Sequence, residues 1–273
     1  MIVNWTKKIQ QLDPERKLLP PPFVVVKVDL KQLRTELAGD HNAEHYLTAR
    51  EMERFAELKH EKRKCEWLGG RISVKGAAAC LLTRQEMLEN IAIWHKIIIY
   101  QDAHGKPFLQ VDKDFRSGKN IHISLSHSAD LAVGLACTEP CGVDIQEIKN
   151  AIFRVRKHFS TEAEQNILKK LSGTIKRDEI VMLSLLWSAK EAIKKNIAIS
   201  PLLYFSEIRL NSIKQSAGVG LLFHFICSRK DKLPVMDCSA LASKFDNYAF
   251  AVSQVSTTEH TYGKIFHPDR FSG

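Results

Sequence analysis

Hydrophobic and polar positions along the chain follow two periods, and the switches between them mark out the elements. Short runs rich in β-branched residues predict strands at Phe23–Leu30, Ile97–Gln101, Phe108–Val111, Ile121–Ser126, Leu131–Cys137 and Gly142–Ile148. The third and second of these form a hairpin about Gly105-Lys106-Pro107. Helical spacing predicts a helix over about Thr48–Leu58, a longer one from Lys62 toward Leu88 with a break, and a stretch ending at His158. Ser160-Thr161-Glu162-Ala163-Glu164 reads as a helix start, with a capping residue and early acids. A helix carrying Trp187 is expected from near Ile175 to before Pro201. Four more strands follow at Tyr204–Leu210, Gly220–Cys227, Pro234–Ala240 and Tyr248–Val255. Residues 1–19 are polar and are expected to be loosely held, and Pro20-Pro21-Pro22 marks a boundary because proline refuses both helix and ladder. Residues 31–47 read as mixed, with a loop at Gly39-Asp40, and the polar tail from Ser256 is expected to be mobile.

Mixed helices and antiparallel-looking strands make this an α+β chain. Its 273 residues can bury a sizeable core in one large domain or two small ones, and its 44% hydrophobic content is ordinary for a globular protein. A formal net charge of +9 points to anionic partners without choosing among nucleic acid, headgroups, acidic proteins and phosphorylated small molecules. The first eight residues lack the apolar core of a signal peptide and no apolar run reaches spanning length, so no membrane association is expected. The scattered cysteines at 65, 80, 137, 141, 227 and 238 suggest reduced thiols and a cytoplasmic location, and the Cys137/Cys141 pair reads as structural.

Candidate chemistry sits in two segments. In the strand Gly142-Val143-Asp144-Ile145-Gln146-Glu147-Ile148, Asp144 and Gln146 share one face and Val143 and Ile145 the other. In the helix Trp187-Ser188-Ala189-Lys190-Glu191-Ala192-Ile193-Lys194-Lys195, residues Trp187, Glu191 and Lys195 share a face, with Lys190 and Lys194 on the neighbouring stripe. Docking the helix on the strand would bring Glu191 to Asp144, and two facing carboxylates favour a bound cation. Magnesium suits such a pair because it takes few protein carboxylates and completes its shell with water and phosphate. Alone, the helix also fits an ordinary surface of Glu–Lys pairs and the strand an edge ending in solvated polar residues.

Together the segments resemble the signature of the 4′-phosphopantetheinyl transferases of the surfactin-synthetase-activating type. Three further pieces match: Ser126-His127-Ser128 after a strand, Gly105-Lys106-Pro107 upstream, and Glu66-Trp67-Leu68-Gly69-Gly70-Arg71 in a first-half helix. The resemblance spans about residues 23–255. It implies two similar subdomains in pseudo-twofold arrangement, each a long helix packed on a small, mostly antiparallel sheet. The expected division is an N-terminal extension over 1–22, a coenzyme A-binding subdomain over 23–130, a metal and catalytic subdomain over 131–255, and a tail over 256–273. Equal offsets from Trp67 to Arg71 and Lys75, and from Trp187 to Glu191 and Lys195, hint at internal duplication.

The implied activity moves the phosphopantetheine arm of coenzyme A onto a serine of an apo acyl or peptidyl carrier protein and releases adenosine 3′,5′-bisphosphate. The resemblance gives Asp144 and Glu191 to magnesium (manganese as an alternative), Glu191 also to the serine proton, and Lys195 to phosphate charge. Gln146 stands where many members carry a second acid, so water is expected between it and the metal, while Glu147 should face the other way. Arg71, Lys106, Ser126 and His127 are the expected coenzyme A contacts, joined by Lys62 and Arg63; Lys190 is a weaker candidate with a surface role equally open. A monomer is implied, with neither membrane nor nucleic acid as partner. Two other readings exist. His41-Asn42-Ala43-Glu44-His45 fits the H-x-x-E-H pattern of zinc peptidases, but lacks a flanking apolar helix and a third ligand. A non-enzymatic nucleic-acid binder would fit the charge but needs interleaved exposed aromatics, which the sequence does not offer.

Overall fold

The computed structural model describes residues 1–14, 22–38, 43–83, 91–102, 105–111, 120–197, 202–216, 219–229 and 233–254. Two antiparallel sheets form its centre. The first has strand order β1-β2-β6-β5, from Ile2–Asn4 (β1), Phe23–Asp29 (β2), Leu131–Cys137 (β6) and His122–Ser128 (β5). The second has order β7-β11-β10-β9-β8, from Cys141–Glu147 (β7), Ile208–Gln215 (β8), Leu221–Arg229 (β9), Leu233–Phe245 (β10) and Tyr248–Gln254 (β11). Ile97–Gln101 (β3) and Pro107–Val111 (β4) make a separate hairpin, with Gly105 at φ 81° in its turn. That left-handed backbone is why the turn carries a glycine.

Each sheet carries one long helix. Glu61–Thr83 (α4) lies on the first and Glu179–Ile197 (α8) on the second. The period-2 pattern divides each strand between two cores. Val24, Val26 and Val28 of β2 face α4 together with Ala132 and Ala136. Val25 faces the other way, onto Val133, Leu135, Val143, Ile145, Phe250 and Val252, in a core shared by both sheets. Glycines allow the closest helix–sheet approaches. A Cβ on Gly134 would lie 2.4 Å from the Ser73 carbonyl carbon, and one on Gly142 would lie 1.9 Å from the Ala192 carbonyl oxygen.

The two halves repeat one polar frame. In the first, Thr48 and Glu51 form a capping box at Ala49–Ala56 (α3), and the fully buried Lys75 of α4 pairs with Glu51 and donates to the Tyr46 carbonyl at 3.0 Å. In the second, Thr161 and Glu164 form the same box, this time at Glu162–Ile175 (α7). Lys190 of α8 donates to Glu164 at 2.8 Å and to the Phe159 carbonyl at 2.8 Å. Each glutamate also accepts from the next sheet element, from Ile99 N at 3.4 Å and Leu210 N at 2.7 Å. A buried charge demands this full set of partners. The registration pairs Lys75 with Lys190 rather than with Lys195, so the duplication hinted at in the sequence is real but shifted by five residues from the tryptophan-based alignment.

Several expectations change. Residues 1–14 are not loose: β1 pairs with β2, and Trp5, Ile9 and Leu12 of the segment around Thr6–Gln10 (α1) are buried in the shared core. Their 3–4 spacing is a short amphipathic face. Residues 31–37, read as mixed, and Leu30, read as the end of a strand, form the helix Leu30–Leu37 (α2), whose first turn is capped by the Asp29 carboxylate accepting from Gln32 N at 2.9 Å. Strand β6, which follows the division expected at 130, pairs into the first sheet. Helix α8 starts at Glu179, after α7 has ended at Lys176 in left-handed conformation, and β8 starts at Ile208, after a short turn at Phe205–Glu207. His41 and the segment 255–273 lie outside the described residues, while Glu44 and His45 lie exposed in the 3-10 turn Ala43–His45.

Candidate active site

Strand β7 and helix α8 set the centre of the site. Because Gly142 offers no side chain, the helix lies directly on the strand, and Lys195 reaches β7. Its ammonium donates to Asp144 Oδ1 at 2.8 Å and to the Val143 carbonyl at 3.0 Å. Ser126 donates to the same Oδ1 at 2.8 Å. Asp144 is 6% exposed, and its buried Oδ2 has no protein partner. An ionised, buried oxygen left without a donor is costly, which is the condition a cation relieves. Glu191 stands one helical turn before Lys195 on the same face. Its carboxylate is partly buried and accepts from Lys194 at 3.0 Å. Among the described residues no group of three or more His, Cys, Asp or Glu side chains is arranged for a metal.

The first half reaches the same centre through β5. Ser124, Ser126 and Ser128 share one strand face and contact β7 in sequence: Ser124 accepts from Val143 N at 3.0 Å, Ser126 donates to Asp144, and Ser128 accepts from Glu147 N at 2.9 Å. Three hydroxyls thus join the two sheets where no backbone ladder does. Between them on β5, His127 is half-buried, and burial pushes its pKa below the ordinary histidine value of 6.5. Arg63 and Lys195 push it the same way, while Glu66 and Asp144 oppose them. Those names locate the imidazole between the start of α4 and the Asp144–Lys195 pair.

A cavity of about 230 Å³ opens beside this centre. Glu191, Lys194, Lys195 and Leu202 line it from the second half, and Lys106, Gly105 and Ser124 from the first. Burial lowers the Lys106 pKa, an effect opposed by Cys141 and Asp102. A smaller hollow of about 110 Å³ lies beyond Gln146, lined by Trp187, Ile152 and Val155. Gln146 itself donates to the Glu147 carbonyl at 3.3 Å.

The expected site residues therefore divide. Asp144, Glu191, Lys195, Lys106, Ser126 and His127 gather around one centre, with Arg63 close enough to act on His127. Arg63 and Lys62 are exposed, each 3.9 Å from Glu66. Arg71 is 6% exposed, 3.8 Å from Glu51 and 4.7 Å from the Trp67 ring, beside the first polar frame. Ser126 points to Asp144 rather than outward. Lys190 is neither surface nor site but the buried partner of Glu164. Lys194 and Ser124 were not singled out by the sequence reading. Period-2 spacing of serines along β5 was the available signal for Ser124, and nothing in the local sequence separated Lys194 from a solvated neighbour of Lys195.

Comparison with known proteins falls on the same stretch. Residues 140–252, which include β7 and α8, match the family described as the 4′-phosphopantetheinyl transferase superfamily. The chain is similar to a holo-[acyl-carrier-protein] synthase of Geobacillus kaustophilus, 34% identical over 116 residues that make up 42% of this chain and 85% of that one. It is similar also to the 4′-phosphopantetheinyl transferase psf-1 of Bacillus pumilus, 35% identical over 100 residues, 37% of this chain and 39% of that one. Among solved structures, the holo-[acyl-carrier-protein] synthase of Helicobacter pylori in complex with coenzyme A aligns at a TM-score of 0.34 and 16% identity, over 42% of this chain and 98% of that one.

Proposed function

The chain belongs to the 4′-phosphopantetheinyl transferase superfamily, and from that premise we propose that it transfers the 4′-phosphopantetheine group of coenzyme A to a serine hydroxyl of an apo acyl or peptidyl carrier protein. One observation carries the assignment to this site: a buried aspartate with an unpartnered oxygen is held by Lys195, which lines a cavity together with a second carboxylate and two further lysines. Phosphoryl transfer needs chiefly positioning and charge neutralisation.

The residues present fit a hard divalent cation, since Asp144 Oδ2 lacks a donor and Glu191 supplies a second carboxylate on the wall that Lys195, the partner of Asp144, also lines. Asp144 and Glu191 would hold magnesium, or manganese in its place, with water next to Gln146; the bound ion would supply Lewis-acid neutralisation of the diphosphate. The protein's own groups account for the rest. Lys106 and Lys195 bind the diphosphate across the cavity, and His127, Arg63 and Lys62 take the remaining phosphate of coenzyme A. Glu191 accepts the proton as the serine oxygen forms its bond to the β-phosphorus. The bond from that phosphorus to the bridging oxygen breaks, and adenosine 3′,5′-bisphosphate leaves with its charge balanced by Lys195. Both walls of the cavity come from one chain, so the reading requires no second copy. We infer that it acts in the cytoplasm with its carrier, a reading that the scattered, reduced cysteines support.

The test incubates the protein with coenzyme A, magnesium and a panel of apo carrier proteins, and weighs the products. Wild type should add one phosphopantetheine arm to at least one carrier, while folded Asp144→Ala and Glu191→Gln variants should add none. Normal transfer by either variant would remove the site.

A further inference from the structure

Lys194 is the cavity lysine to which the proposed chemistry gives no role. Its ammonium donates to Glu191 Oε1 at 3.0 Å and lies 4.4 Å from the centroid of the Phe205 ring. Its side chain is 20% exposed and lines the 230 Å³ cavity with Lys106 and Lys195. A lysine ammonium has three N–H donors, and the carboxylate and the ring face leave it able to accept a further anion without leaving the wall. The flexible four-carbon stem lets it shift by the small distance such an exchange needs.

We propose that Lys194 is a latch between the two ligands: it neutralises Glu191 in the empty cavity and transfers its charge to the diphosphate when coenzyme A enters, freeing the carboxylate. This role rests on the transferase reading and deepens it. An ammonium on Glu191 competes with a divalent cation for the same carboxylate, because the two positive charges repel at such short range. A diphosphate draws the ammonium away, so anion binding removes the competitor. Linkage requires the converse as well: whatever weakens the hold of Lys194 on Glu191 must favour the cation. The polar frame explains why this lysine is free for the role. Lys190, one turn earlier, is fully committed to Glu164 and the Phe159 carbonyl and does not line the cavity, whereas Lys194 does.

The proposal predicts effects of opposite sign from one substitution. Manganese binding to the full chain, followed by electron paramagnetic resonance without nucleotide, should tighten about fivefold to tenfold in Lys194→Gln. Coenzyme A binding without metal, followed by calorimetry, should weaken by a similar factor, and Lys194→Arg should restore it to within about twofold. Lys149→Gln makes the same charge change at a lysine paired with Glu147 instead, and should move neither constant. Unchanged coenzyme A affinity in Lys194→Gln, unchanged manganese affinity, or equal shifts in Lys149→Gln would each overturn the latch. If wild type bound no coenzyme A, the transferase reading would fail and the latch with it; wild-type binding with an unaltered variant would sink the latch alone.

Discussion

Ser126→Ala tests whether the hydroxyl serves Asp144, as the geometry indicates, or coenzyme A, as the sequence resemblance implied. The substitution deletes one of two donors on Asp144 Oδ1, leaving Lys195 at 2.8 Å as the other, on a carboxylate whose Oδ2 already has none. A hydrogen bond to a charged acceptor contributes about 1.5–3 kcal/mol. At about 1.4 kcal/mol per factor of ten, that is roughly tenfold to somewhat over a hundredfold. Partners that orient metal-binding carboxylates cost about 10–100-fold in metal affinity or activity when removed, which agrees. The magnesium concentration for half-maximal transfer should therefore rise by at least tenfold in Ser126→Ala, with the KM for coenzyme A at saturating magnesium within about twofold of wild type. The assay is transfer to an apo carrier protein at varied magnesium and varied coenzyme A, with a thermal melt to show that the variant is folded. A raised KM for coenzyme A with unaltered magnesium dependence would refute the reasoning and return Ser126 to the substrate.

Gly142→Ala should unfold the protein at a lower temperature, because its Cβ would lie 1.9 Å from the Ala192 carbonyl oxygen; overpacking of this kind costs about 1–3 kcal/mol or more, readable in a denaturant titration. Glu51→Gln and Glu164→Gln should each destabilise the fold, by up to about 3–5 kcal/mol, because each leaves a buried lysine without its charge partner, and the near-equality of the two losses tests the repeated frame. His127, with its folded pKa held below 6.5 by burial, binds fewer protons folded than unfolded, so its contribution is lost as pH falls through about 6.5 toward the folded value, and replacing it by Gln should flatten part of that loss in acid melts. The same depression means that coenzyme A binding near pH 6.5 should take up a proton at His127, raising affinity as pH falls; calorimetry in two buffers of different ionisation enthalpy measures the uptake, and none in wild type would deny an imidazolium contact.

The elements with long unbroken periodicity were legible in the chain, and so were the faces on which they carry their polar residues. Strand β2, the β3–β4 hairpin, β7 and the body of α8 lie where the pattern placed them, and the alternation that set Asp144 and Gln146 on one face of β7 is the alternation observed. What escaped was decided by partners distant in sequence. Trp5, Ile9 and Leu12 occupy a core made by both sheets, and a segment with several lysines reads as polar until that core is known. Arg71 carries the charge a phosphate site wants, yet it lies buried, 3.8 Å from Glu51 twenty residues earlier. Lys190 and Lys195 were indistinguishable by composition. Only the capping-box acid of α7 separates the buried one from the one that reaches Asp144.

The repeated frame also bears on why the proposed site takes both its acids from one half. Registering Lys75 on Lys190 sets Gly76 opposite Glu191, Ala79 opposite Lys194 and Cys80 opposite Lys195. The first copy has the same buried lysine, the same capping-box glutamate and the same carbonyl partner, but apolar or small residues where the second has its acid and cations. A fully satisfied buried network fixes the helix against its sheet, and it does so equally in both halves. The frame is therefore a scaffold condition and not a catalytic one: it sets the depth of the helix, and the residues just beyond the lysine decide what that depth presents. The first half is left to contribute from its edges, through the hairpin with Lys106 and the serine face of β5. A site assembled this way needs the two halves locked in register, and the row Ser124, Ser126, Ser128 supplies that lock at the same point where it orients Asp144.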